Sequence, residues 1–123
     1  MTKYCPANRS DCWSDSGDPD GLTELLPEDD AARQNFGSNW HMPSSELLWE
    51  LYSYTDNEWT DDYNESGVAG QVFRGNDQEL FIPAAGCYNG SDLYNVGDEA
   101  DLWSSSLYLD DPSRAYYLGF DSD

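Results

Sequence analysis

The sequence predicts an α+β domain. Two short helix signatures fall between residues 25 and 56, and from residue 57 onward the pattern turns to short apolar runs bounded by Gly and Asn-Asp. Helices first and strands afterwards is the order of an α+β chain rather than of alternating βα units. Ten glycines and six prolines among 123 residues add the many turns that short elements require. A chain of this length makes one domain with a modest core.

The elements follow in order. Residues 1–24 are a polar, turn-rich lead-in containing "SDSGDPDG", where Asp15, Asp18 and Asp20 lack the 1, 3, 5 ligand spacing and the later Glu of an EF-hand and so read as a plain loop. In "LLPEDDAARQNFG", Pro27 suits a first helical turn, Glu28, Asp29 and Asp30 suit its positive end, and Gly37 is the stop. "MPSSELLWELYSYT" predicts a second helix over about 45–54, with Ser44 as N-cap, Glu46 in the first turn, and Leu47, Leu48, Leu51 and Tyr54 or Thr55 on one face. "GVAGQVFRG" and "QELFIPAAG" form a hairpin through "RGNDQ". A long polar loop, "CYNGSDLYNVGDEAD", precedes a last strand, loop and strand over 101–121. Period-two alternation there assigns Trp103, Tyr117 and Phe120 to the core and turns Tyr116 outward. The expected core is Trp40, Leu48, Leu51, Ile82, Trp103 and Tyr117.

Charge removes whole classes of function. Five Lys and Arg against 25 Asp and Glu leave a net charge of -20, which argues against a nucleic-acid backbone or an anionic membrane surface as partner. The same acidity fits a solvated, self-repelling surface, a salt-adapted source or divalent cation binding. No segment approaches the ~18 apolar residues of a membrane span, and "MTKYCPANRS" lacks the apolar core of a signal peptide. Cys5, Cys12 and Cys87 allow at most one internal disulfide. With no Cys-x-x-Cys spacing and His41 as the single histidine, they make a zinc site improbable. His41 reads as a packed or hydrogen-bonded residue. Ser104–Ser106 have no histidine partner of any sequence logic, so a hydrolase is not expected.

Three blocks, "LPEDDAARQNFGSNWHMPSSELLWEL", "LFIPAAGCYNGSDLYNVG" and "LWSSSLYLDDPSRAYYLGF", resemble consecutive blocks of the Fibrobacter succinogenes major paralogous domain family. The matching positions are Phe36, Gly37, Trp40, Met42 and Pro43; then Ile82, Pro83, Ala84, Ala85 and Gly86; then Trp103–Ser106 and Ala115–Leu118. The resemblance implies a C-type-lectin-like fold, two short helices flanking a small antiparallel sheet with long polar loops, in a Bacteroidota surface protein. It further implies a single domain over 1–123 that is cut at both ends, since members continue past the position of Phe120 into another strand and carry sequence before "TKYC". Where members show Gly-Tyr-Tyr, this chain has Asp98, Glu99, Ala100 and Asp101.

On that scaffold the expected role is non-catalytic recognition of an extracellular glycan or protein through the 88–114 loops. Tyr, Ser, Asn and Asp occupy 20 of the 36 positions from 88 to 123, the composition of adaptable binding surfaces. The candidate contact residues are Tyr88, Asn89, Asp92, Tyr94, Asn95, Asp98, Asp101, Tyr108, Asp110, Asp111, Arg114 and Tyr116. No cofactor is expected, and calcium is not favoured because no ligand motif is complete. Two other readings are a structural or adhesin-stalk module without a specific ligand, and a variable ligand-binding protein diversified by a retroelement.

Overall fold

The computed structural model describes residues 21–111 and 114–123. The expectations placed on Asp15, Asp18, Asp20, Cys5 and Cys12 lie outside these residues. The elements are α1 (Ala31–Phe36), α2 (Ser45–Tyr54), β1 (Asp56–Thr60), β2 (Gly70–Gly75), β3 (Gln78–Pro83), β4 (Cys87–Asn89), β5 (Asp92–Tyr94), β6 (Glu99–Leu107) and β7 (Ala115–Asp121). The sheets are β1-β2-β3, β4-β5 and β6-β7, with antiparallel pairing in the first two. This is a small α+β domain, as its sequence predicts. The chain divides into two compact units, one of residues up to Glu46 with Trp103–Tyr117, the other of Leu47–Leu102 with Leu118–Asp123.

In the first unit, α1 begins later than Pro27 suggests. Leu26 accepts from the backbone N–H of Asp29 and Asp30, so Pro27 sits in a turn ahead of the helix. Asp30 is the N-cap: its Oδ1 accepts from Arg33 N at 3.0 Å and its Oδ2 from Met42 N at 2.8 Å. That second bond gives the cap a tertiary purpose, because it pins the 37–42 segment to the start of the helix. Gly37 ends α1 at φ 96, a positive φ that glycine adopts readily, and its N–H donates to the Arg33 carbonyl.

The interior of this unit is lined with hydroxyls. Ser104 and Ser106 are buried, together with Leu107 and Asp30. Ser104 Oγ donates to the carbonyl of Tyr116 at 2.7 Å, and Ser106 Oγ accepts from the Ser45 N–H at 3.0 Å while donating to Glu24. Segment 23–25 lies along β6, with Leu25 N to Ser105 O at 2.9 Å and Leu107 N to Thr23 O at 2.8 Å. The serine block therefore knits backbone segments together.

This arrangement overturns part of the expected core. If Ser104 and Ser106 point inward, strand alternation turns Trp103 outward; it is 54% exposed, and Tyr117, packed against it at 5.3 Å between ring centroids, is 57% exposed. Trp40 is exposed too, and its ring packs against that of Phe36 on α1, 6.0 Å between centroids. The inward parity of β6 is decided by hydrogen-bond partners at Glu24, Ser45 and Tyr116, which outrank ring size.

The second unit holds the apolar core. Val72 and Phe73 are 1% and 2% exposed, and Leu48, Ala84 and Ala100 are also buried. Phe120 is half-buried and packs edge-on against Phe73 at 6.0 Å, so it reaches the core only in part. On α2, Leu48 is buried and Leu51 half-buried, as is Thr55 just past its end, the 3-4 spacing of an inward stripe; Leu47 and Tyr54 are exposed. Ile82 is half-buried.

The β2-β3 hairpin matches its sequence signal closely. Gly75 pairs with Gln78, leaving Asn76 and Asp77 as a two-residue turn at φ 51 and 61, the left-handed pair of a type I′ turn. β1 has no strong sequence signal, because "DNEWT" is acidic and mostly exposed. The polar stretch from Cys87 is not a continuous loop either: β4 and β5 pair as Cys87↔Tyr94, Tyr88↔Leu93 and Asn89↔Asp92. Gly86 makes this possible, since a Cβ there would stand 2.1 Å from the Tyr94 carbonyl oxygen.

Candidate functional site

The residues expected to form one loop face divide between the two compact units. Tyr88, Asn89, Asp92, Tyr94, Asn95, Asp98 and Asp101 belong to the second unit, and Tyr108, Asp110, Asp111, Arg114 and Tyr116 to the first.

In the second unit, Asn89 and Asp92 pair next to the turn of the β4-β5 hairpin, and Tyr88 and Tyr94 are exposed along it. Asn95, at φ 55, turns the chain back, its carbonyl accepting from the N–H groups of Asp98 and Glu99 at 3.1 Å each. The Asp98 carbonyl accepts from Ser122 N at 3.1 Å. Cys87, a free thiol, donates through Sγ to Glu99 Oε1 at 3.0 Å. That bond raises the thiol pKa and, with a further hydrogen bond from Asn95, lowers that of Glu99. Partial burial, then the neighbouring Glu99 charge, pushes the Asp101 carboxyl up. Glu99 was not among the expected contact residues, although it organises this segment.

In the first unit, β6 with the residue just past its end and β7 carry two aromatic pairs, Trp103 with Tyr117 and Tyr108 with Tyr116, each at 5.3 Å between centroids. All four rings are exposed to solvent. Tyr108 N donates to the Arg114 carbonyl at 2.9 Å, and Asp111 Oδ2 holds Arg114 Nε at 3.2 Å. Asp110 is exposed beside them.

A further polar network involves residues the sequence does not single out. Arg74 on β2 reaches Glu58 on β1 (Nη1 to Oε2, 3.0 Å) and Glu79 on β3 (Nε to Oε2, 2.8 Å). Tyr63 donates its hydroxyl to Glu79 Oε1 at 2.7 Å and stacks on Phe81 at 3.9 Å, nearly parallel. Tyr63, then Arg74, holds the Glu79 carboxyl below its usual range. The only sequence trace of this cluster is a Glu-x-Phe pattern on β3 opposite an Arg across a turn.

Other expected groups have ordinary roles. His41 is exposed, with Nδ1 donating to the Met42 carbonyl at 3.0 Å. Among the described residues, no group of three or more His, Cys, Asp or Glu side chains is placed to hold a metal ion, and no helix is long and apolar enough to cross a membrane.

Fold and surface together define a small α+β domain that displays aromatic rings and carboxylates on paired strands. No family model, curated protein or solved structure matches the chain.

Proposed function

We propose that this chain is a non-catalytic binding module of a bacterial cell-surface protein, contacting an extracellular glycan or protein. One observation carries the reading: the two aromatic pairs of β6 and β7 stand in solvent. Exposed clustered rings mark contact surfaces in soluble domains, and Tyr and Trp lose little conformational entropy on contact. The serines between them are occupied with internal hydrogen bonds, which leaves the rings, Arg114 and the nearby carboxylates to make the contact. The surface location rests on the motif resemblance.

The test is binding of the soluble chain to immobilised polysaccharides and purified extracellular proteins, compared with a Tyr108→Ser/Tyr116→Ser variant. Retained folding with binding lost roughly tenfold or more supports the proposal, at one buried aromatic contact or better. Binding by wild type that the double variant and Trp103→Ala leave intact would remove this surface from the reading.

A further inference from the structure

We infer that the cleft beside Arg74 is a subsite for one ring of a neutral saccharide. The inference rests on the binding-module reading but places a defined ligand class away from the aromatic pairs of β6 and β7.

The cleft lies wholly within the second unit. The register sets Glu58, Val72 and Phe81 abreast on one face of β1-β2-β3, with Arg74 and Glu79 paired further along it. The loop after β1 brings Tyr63 onto that face. Between them is a cavity of about 200 Å³ lined by Glu58, Trp59, Tyr63, Asn64, Arg74 and Glu79. That is below the roughly 300–1,000 Å³ of sites for drug-sized ligands, so it suits a single ring. A second depression, of about 420 Å³, runs towards the β2-β3 turn and shares Arg74 and Glu79 with the first. A linked second sugar would extend there.

The walls are held in place before any ligand arrives. Arg74 is fixed by two carboxylates, Glu79 by Arg74 and the Tyr63 hydroxyl, and the Tyr63 ring by Phe81. The loop is closed by Tyr63 N to Val68 O at 2.9 Å and Gly67 N to Asp62 Oδ1 at 2.5 Å. Asn64 and Glu65 are both left-handed, at φ 51 and 60, as Asn76 and Asp77 are in the β2-β3 turn. The Arg74–Glu79 pair lies directly across the β2-β3 ladder and adds a modest cross-strand contribution to the sheet. The same fixed donors and acceptors present a preorganised wall to a ligand.

The chemistry selects a neutral polyol. The guanidinium has five N–H donors, and its Nε and one Nη1 donor are engaged by the two glutamates, which leaves donors directed from Nη2. The carboxylates keep further lone pairs as acceptors. Neighbouring hydroxyls of a sugar both donate and accept, as this set requires, while the Tyr63 ring lines the cavity beside its C–H face. An anion meets a chain of net charge -20. A cationic ligand would have to compete with a guanidinium already within 3.0 Å of both carboxylates.

The experiment is a heteronuclear NMR titration of the full chain with methyl glycosides of glucose, galactose and mannose, and with cellobiose, into the millimolar range. Expected are saturable shifts of the Arg74 Nε–H and of the Trp59 and Val72 backbone amides, all residues that line the cavity. Arg74→Gln should weaken binding roughly ten- to hundredfold, the loss of a charged hydrogen bond, and Tyr63→Phe several-fold. Amide dispersion reports that each variant is folded. Absence of saturable shifts at these groups for every sugar overturns the inference. Sugar shifts confined to β6 and β7 and indifferent to Arg74→Gln overturn it while leaving the module reading intact. Tighter binding of N-acetyl-lysine methylamide than of any sugar overturns the neutral-polyol assignment.

Discussion

Asp30 is the residue on which the first unit's local and tertiary order meet, and replacing it tests both. One carboxylate oxygen caps α1 through Arg33 N, and the other receives Met42 N across twelve residues. Asp30→Ala removes a cap and orphans a partly buried N–H, so the expected loss is roughly 2–3 kcal/mol. Asp30→Asn keeps the capping oxygen but turns a donor amide towards the Met42 N–H, for an expected loss of about 1–2 kcal/mol. Burial raises the Asp30 pKa, yet the N–H donors of Arg33, Met42 and Ala32, with the neighbouring His41, outweigh it and leave the carboxyl below its ordinary value. A depressed folded pKa means that the stabilisation is present in full above the unfolded value, near 4, and is lost as pH falls through the folded one. Urea melts of the three proteins from pH 7 downward measure this. The gap between wild type and Asp30→Ala should narrow on acidification. A gap under ~0.5 kcal/mol at neutral pH, well short of a typical cap, or one that widens in acid, would refute the reasoning.

Burial separates two large aromatics that sequence alone would treat alike: Phe73→Ala should destabilise by roughly 3–5 kcal/mol and the half-exposed Trp103→Ala by about 1 kcal/mol. Equal losses in denaturant melts would contradict the assigned parity of β6. Cys87 should react slowly with a disulfide reagent at mildly alkaline pH, because its hydrogen bond to Glu99 holds the thiol protonated. In a Cys5→Ser/Cys12→Ser background, Glu99→Gln should accelerate that reaction, and an unchanged rate counts against the contact. Monovalent salt should raise the melting temperature gradually over the tenths-molar range by screening a net charge of -20. Calcium at constant ionic strength should add no saturating shift; one that appears below millimolar and vanishes in Asp98→Asn/Asp101→Asn would establish a calcium site.

What the sequence determined by itself is local. Glu46 and the Leu48–Leu51 spacing announce α2 over 45–54, Gly37 stops α1, and Asn76-Asp77 between two apolar runs specifies the β2-β3 turn; each signal acts within a few residues of chain. Pro27 misleads about the start of α1 because Asp30 is the better cap, with a second donor waiting at Met42. The tertiary structure alone decided which side of β6 faces inward, since that depends on Glu24 and Ser45, 82 and 61 residues from Ser106. It alone assembled Glu58, Tyr63, Arg74 and Glu79. Two strand registers and a left-handed loop must close before those four side chains meet, and no periodicity within any one segment encodes a distance between segments.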